Sequence, residues 1–428
     1  FAFFYFFTFH FPLSNGKSFT NYFFFFMIKA RIFTGGYEMT KHFQTIIDRT
    51  NTRSAKWDLR ELLFKEKDIL PMWVADMDFQ SPSAVQDAIM NRAKHNIYGY
   101  NITDDALAET IANWLKKRHQ WEIETSWLSY SPGVVTSLHM IVQALTKEED
   151  SILIQTPVYP PFYSAIENHN RKIVKNSLKV KDDRYEIDFD DFEEKVKDEK
   201  VTMFILCSPH NPIGRVWTEE ELTKMALLCM ENNVILLSDE IHADLIYKQY
   251  KHIPIASLKS FEENIITCMA PSKTFNLAGL QASYIVTPNK KWKKKIDEQF
   301  KSQGLMGLNT YGIIGMEAAY LHGEQWLEDL MDVLEENKKY VTEQINSNTD
   351  KIKVLPSEGT YLLWLDCRGL KMDEEKLKEF FQKKAKVGLN AGETFGEEGK
   401  GFMRMNIASP FELVQEGVSR ILNALYTL

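Results

Sequence analysis

At 428 residues the chain has length for two or three domains and a deep core. Charged residues make up 26% of it and the formal net charge is −8, a balance that argues against a nucleic-acid or anionic-membrane surface. Its four cysteines, Cys207, Cys229, Cys268 and Cys367, lie far apart with neither paired nor metal-ligand spacing; they read as free thiols in a reducing cytoplasm, with no metal site.

Residues 1–38 are crowded with phenylalanine, including Phe23–Phe26, and almost free of acids. They lack the basic start, aliphatic stretch and small residues of a secretory signal. Ser14, Asn15, Gly16 and Lys17 break any run long enough to span a bilayer. The expectation is a translated leader, with Gly35-Gly36 encoded by a purine-rich ribosome-binding site and the mature chain beginning at Met39. The alternative is a genuine Phe-rich extension that associates with membranes.

From Thr40 onward the sequence shows no linker, internal repeat or low-complexity tract. Leu107, Ile111, Trp114 and Leu115 recur at helical spacing within 104–117, after acids suited to a helix start. Residues 151–155 form a short aliphatic run closed by Thr156-Pro157, a buried strand. A strand is expected at 201–207. A helix follows at 218–231, with Thr218 and Glu221 forming a capping box. Further strands fall at 234–238 and 265–270. The lysines of 290–295 are interrupted by Trp292 and followed by acids, which reads as a solvated helix face. Strands buried on both faces and alternating with helices predict a mostly parallel α/β sheet. Strands at 353–355, 361–366 and 402–407 among helices predict a second, smaller α+β unit.

Three polar residues follow the carboxyl ends of predicted strands, where such sheets gather ligands. They are Asn211 in Ser208-Pro-His-Asn-Pro-Ile-Gly214, Asp239 in Leu237-Ser-Asp-Glu-Ile-His242, and Lys273 in Pro271-Ser-Lys-Thr-Phe275. An amine, a carboxylate and an amide there are what pyridoxal 5'-phosphate requires. The amine holds the aldehyde as a Schiff base, the carboxylate keeps the ring nitrogen protonated, and the amide binds the phenolic oxygen. Taken singly, Asp239 could be a capping residue, Asn211 turn chemistry, and Lys273 a paired or exposed ammonium. Ser131-Pro-Gly-Val-Val-Thr-Ser137 opens an apolar helix-like stretch, so the amides of Gly133, Val134 and Val135 could meet a phosphate, with Ser272 adding a hydroxyl. No nucleotide-binding glycine loop is present. Tyr159 follows a strand end and could stack on the pyridine or simply pack. Arg404, in Phe402-Met-Arg-Met-Asn406, suits bidentate capture of an α-carboxylate.

With those residues in place, the chain from about residue 43 to its end resembles the fold-type I, class I/II aminotransferase superfamily. Trp73-Val-Ala-Asp-Met-Asp-Phe79, Tyr98-Gly-Tyr100, Asp239-Glu-Ile-His242 and Ser272-Lys-Thr-Phe-Asn276 are similar to the MalY/PatB-type cystathionine β-lyases. The resemblance implies a large three-layer α/β/α domain around a mostly parallel sheet and a smaller α+β domain. The expected divisions are 1–38 (leader), 39–84 (a segment joining the small domain), 85–325 (cofactor-binding) and 326–428 (small). It further implies Lys273 as Schiff base and proton shuttle, Asp239 at the pyridine nitrogen, Asn211 and His242 at the phenolic oxygen, and Tyr159 stacked on the ring. Arg404 becomes the carboxylate clamp, Trp73 and Asn211 line the substrate site, and Tyr100 reaches the cofactor phosphate of a second subunit in a homodimer. His242 stands where many transaminases have Tyr, and Ala270 where many have a phosphate-binding Ser; both weigh against transamination, and the first is usual in the lyase branch.

The activity so implied is α,β-elimination from cystathionine or related cysteine S-conjugates, giving a thiol, pyruvate and ammonia. Transamination is the alternative enzyme reading. A regulatory role, in which the cofactor-bound dimer binds a transcriptional activator, is the alternative from another class; no DNA-binding element supports direct DNA contact. For the leader, intact mass of protein made from the native locus is expected to start at Met39; a mass that includes residues 1–38 contradicts that expectation.

Overall fold

The computed structural model describes residues 40–428, and the expected leader at 1–38 lies outside them. The central sheet takes seven strands: β1 (Leu128–Ser131), β2 (Ser151–Thr156), β3 (Lys172–Ser177), β4 (Val201–Cys207), β5 (Ile235–Asp239), β6 (Ile265–Met269) and β7 (Ser283–Val286). Their order across the sheet is β1-β7-β6-β5-β4-β2-β3. Only β7 runs against its neighbours, pairing antiparallel with β1 and β6, so the other six strands point one way.

Every residue of β2, β6 and β7 is buried, and all but one residue of β4 and of β5. Neighbouring side chains still go to opposite sides. Ile152, Ile154, Met203, Ile205, Leu237 and Ile266 enter one apolar cluster, while Leu153, Phe204, Leu206, Leu236 and Ile265 enter another. That is the period of two expected of a strand covered on both faces. The first face packs under α1 (Val134–Leu145) and α2 (Lys290–Ser302) through Leu138, Ile141, Ile296 and Phe300. The other receives Ile111 and Trp114 of helix Asp105–His119, and Leu222 and Met225 of helix Glu219–Glu231. The latter helix opens on the capping box expected of Thr218 and Glu221.

The lysines within 290–295 lie on α2, where Lys293 and Lys294 pair with Asp297 and Glu298 one turn on. A second sheet has the order β8-β9-β11-β10, all antiparallel, from β8 (Lys353–Val354), β9 (Leu362–Asp366), β10 (Asn390–Ala391) and β11 (Phe402–Asn406). Upstream of the large sheet, Leu70–Pro71 pairs in parallel with Val387–Gly388, so the segment leading to Trp73 is anchored beside the second sheet. Cys207, Cys229, Cys268 and Cys367 are buried and unpaired. No helix among the described residues is long and apolar enough to cross a membrane.

Strand direction decides where chemistry gathers. Because β1, β2, β4, β5 and β6 run the same way, their carboxyl ends share one edge of the sheet. Gly133 follows β1, Tyr159 follows β2, Asn211 follows β4, Asp239 ends β5, and Lys273 follows β6 on the short turn of helix Pro271–Thr274. Five segments distant in sequence thus reach one crevice.

Candidate active site

That crevice is a cleft of about 180 Å³. Gly133, Val134, Val135, Tyr159, Asn211, Asp239, His242, Ser272 and Lys273 all line it. Of the residues expected at the site, Trp73, Arg404 and Tyr100 are not in its lining. Arg404 is one hydrogen bond away: its Nη1 donates to Asn211 Oδ1 at 2.9 Å, and its Nη2 to Trp73 O and Asn390 Oδ1. Trp73 lies behind Arg404, its indole donating to Lys56 O and its ring edge-on to Phe64. Tyr100 is fully exposed, in a stretch without regular structure.

Burial dominates the electrostatics of the cleft. Lys273 donates from Nζ to Ala75 O at 2.6 Å. Burial, reinforced by the Arg404 charge, brings its amine down to about 8. Asp239 moves the opposite way. Burial raises its carboxyl to about 7, and the amide of Ile241, donating to Oδ1 at 3.2 Å, offsets only part of that. His242 is held down to about 3 by burial and by the Lys273 and Arg404 charges, so its ring is neutral. Burial lowers Arg404 to about 10 and raises Tyr159 above the ordinary phenol range.

Two buried polar atoms in this region have no partner, His242 Nδ1 and Arg404 Nε. Buried polar groups are normally satisfied, so such atoms point to a ligand. At the rim, α1 begins at Gly133 with no side-chain cap, leaving its first amides free for an anion. A destabilised carboxylate, a neutral imidazole with a free nitrogen, an amide and an uncapped helix N-terminus fit the ring nitrogen, phenolic oxygen and phosphate of pyridoxal phosphate. The amine of Lys273 fits its aldehyde.

Several contributors escaped the sequence reading. Ala75 O, which accepts from Lys273, also accepts from the buried Tyr361 hydroxyl at 3.0 Å. Cys207 and Gln281 line the cleft. Behind the cleft, Asp78 is ringed by Lys56 and Arg49 at 2.6 Å each, with Trp57 and Ser409 also donating. Burial alone would raise Asp78, but Lys56 and these donors hold it at about 2. The alternating acids of Trp73-Val-Ala-Asp-Met-Asp-Phe79 were the available signal for that cluster; nothing in the sequence marked Tyr361.

A family model described as "Aminotransferase class I and II" matches residues 68–421. The chain belongs to that family. It is 42% identical over 379 residues to cystathionine beta-lyase PatB of Bacillus subtilis (strain 168), covering 88% of this chain and 98% of that one. Protein MalY of Escherichia coli (strain K12) is 30% identical, with 90% and 98% covered. Among solved structures, cystalysin from Treponema denticola, described as containing a pyridoxal 5'-phosphate cofactor, superposes with a TM-score of 0.88. Its identity is 37%, over 90% of this chain and 98% of that one.

The raised Asp239 carboxyl yields a stability prediction for the cofactor-free chain. An ordinary carboxyl ionises near 3.8, whereas the folded chain retains this proton to about pH 7. The folded state is therefore penalised increasingly as pH rises from about 4 to 7, and the full penalty persists above that. Asp239→Asn is expected to stabilise cofactor-free protein at pH 8 by roughly 2–4 kcal/mol, with a much smaller gain at pH 5, in thermal or urea unfolding. The same substitution is expected to weaken pyridoxal phosphate binding.

Proposed function

We propose that this chain is a pyridoxal-phosphate-dependent carbon–sulfur β-lyase that splits cystathionine or related cysteine S-conjugates into a thiol, pyruvate and ammonia. Its support is the convergence of a buried amine and a buried carboxylate on one cleft, in a chain similar to a named cystathionine β-lyase. When bound, pyridoxal phosphate supplies an electron-withdrawing pyridinium that takes up the electron pair left as an amino acid's Cα–H bond breaks.

The protein's own residues divide the remaining work. Lys273 holds the cofactor through its amine and, once freed, takes the Cα proton. An amine near pH 8 is a competent base around neutrality, whereas an ordinary lysine is almost wholly protonated there. Asp239 keeps a proton on the pyridine nitrogen, and the pairing of the two charges offsets its burial. Asn211 and the neutral His242 would hold the phenolic oxygen, and Tyr159 would cover the ring. Gly133, Val134, Val135 and Ser272 receive the phosphate. Arg404 takes the substrate carboxylate, with Trp73 behind it.

As Cα loses its proton and Cβ its sulfur, the thiolate departs and is protonated to the thiol. The released three-carbon enamine consumes water to give pyruvate and ammonia. Tyr100, fully exposed here, is assigned to the phosphate site of a second copy in a homodimer. The buried unpaired cysteines suit a cytoplasmic setting. The two sheets support a division into a large lobe of 85–325 and a small lobe of 326–428, with 39–84 as an N-terminal segment that joins the small lobe.

Incubation with cystathionine and no keto acid is expected to release homocysteine and pyruvate in equal amounts. Turnover that appears only with 2-oxoglutarate indicates a transaminase and removes the lyase reading. Lys273→Ala is expected to abolish both visible cofactor absorbance and turnover. Arg404→Ala is expected to lower kcat/KM at least about a hundredfold through the lost carboxylate pairing.

A further inference from the structure

Residues 73–77 accept hydrogen bonds from both charged groups assigned to the substrate, Arg404 and Lys273, yet they carry neither helix nor strand. Their carbonyls are taken one after another by side chains. Trp73 O accepts from Arg404 Nη2 at 2.9 Å, Val74 O from Asn406 Nδ2 at 2.5 Å, and Asp76 O from the same Nδ2 at 2.6 Å. Ala75 O, between them, accepts from both the Tyr361 hydroxyl at 3.0 Å and Lys273 Nζ at 2.6 Å. Arg404 and Lys273 therefore grip carbonyls two residues apart, on at most about 7 Å of chain.

We propose that Tyr361 and Asn406 are positioning residues that hold this strap, so that the Lys273 amine and the Arg404 guanidinium keep a fixed separation matched to the Cα proton and carboxylate of one amino acid. Their placement follows from the second sheet. Asn406 ends β11, two residues from Arg404 and on the same face, and it pairs with Leu362, which Tyr361 precedes. Both are fully buried, where a polar group is costly unless bonded. Each spends its donors on the strap. Asn406 contributes its amide nitrogen to two carbonyls and anchors its Oδ1 on the amide of Ala408 at 2.7 Å. Tyr361 has its pKa driven far up by burial and by Asp76, so it stays a neutral donor at all working pH values. A phenylalanine would fill the same space. What the hydroxyl adds is control of one carbonyl, and that carbonyl receives the amine.

The roles of Lys273 and Arg404 in this proposal rest on the lyase reading, whereas the hold on the strap does not. The test is Tyr361→Phe, which preserves volume, with Asn406→Ala as a second variant. In full-length protein freed of cofactor, the titration of the Lys273 amine is read by pH-dependent acetylation and peptide mass spectrometry. In Tyr361→Phe it is expected to move away from that of wild-type protein, because the carbonyl that receives the ammonium loses its second hydrogen-bond partner while burial and Arg404 remain. In the cofactor-loaded variant kcat is expected to fall about tenfold with KM little changed, since misplacement rather than binding is affected. The isotope effect from Cα-deuterated substrate should rise. Asn406→Ala, which releases carbonyls on both sides of Ala75, should raise KM as well. An amine titration that is unchanged in Tyr361→Phe overturns the proposal. If the shift is present but wild-type protein shows no elimination, the lyase reading falls and the positioning role stands.

Discussion

The Lys273 amine and the Asp239 carboxyl are both withdrawn from water at the same edge of one sheet. Burial pushes each toward its neutral form, the amine down to about 8 and the acid up to about 7. A protein gains no stability from such an arrangement. Under the proposed function, a ligand that brought an aldehyde and a protonated ring nitrogen would satisfy the amine and the carboxylate in turn. Much of the surrounding architecture can be understood as keeping those two groups dry, close and unable to satisfy each other.

The scaffold meets that demand with a parallel sheet buried on both faces. Asp239 ends β5 in the middle of the sheet, with β4 and β6 on either side, where water cannot reach the flanking backbone. The neighbouring strand ends deliver Asn211 and Lys273. The strap at 73–77 closes the region from the side of the second sheet. A separate charge cluster, Asp78 with Lys56 and Arg49, fixes the far end of that strap. Asp78 is held ionised by these partners, unlike Asp239, which has no cation bonded to it among the described residues. Two buried aspartates thus stand in opposite states, one held ionised by cations within the protein and one pushed by burial toward its neutral form.

Much of this was legible in the sequence because it depends on local pattern. Aliphatic runs ended by polar residues marked β2, β4, β5 and β6 to within a residue, and Asn211, Asp239 and Lys273 follow from strand ends. The capping box at Thr218 is written in four residues. Arg404 could be picked out because it alternates with apolar neighbours. The hold of Tyr361 on Ala75 was not legible. It joins residues 286 apart through a side chain and a backbone carbonyl, and neither periodicity nor residue type announces such a bond. Asn406 escaped notice for the same reason, although it sits two residues from Arg404. Tyr100 is bare on the surface of this chain, and its expected place at the phosphate of a second copy came from the family resemblance alone, because a pattern within one chain cannot display a contact with another.

The central claim is that one amine, set by this fold against Asp239, carries the cofactor. Borohydride reduction of pyridoxal-phosphate-loaded protein, followed by peptide mass mapping, tests it most directly. The account predicts a single stable pyridoxyl phosphate adduct, on Lys273 and lost from that position in no competing peptide. An adduct on any other lysine, or none on Lys273 in protein that has bound the cofactor, would contradict it.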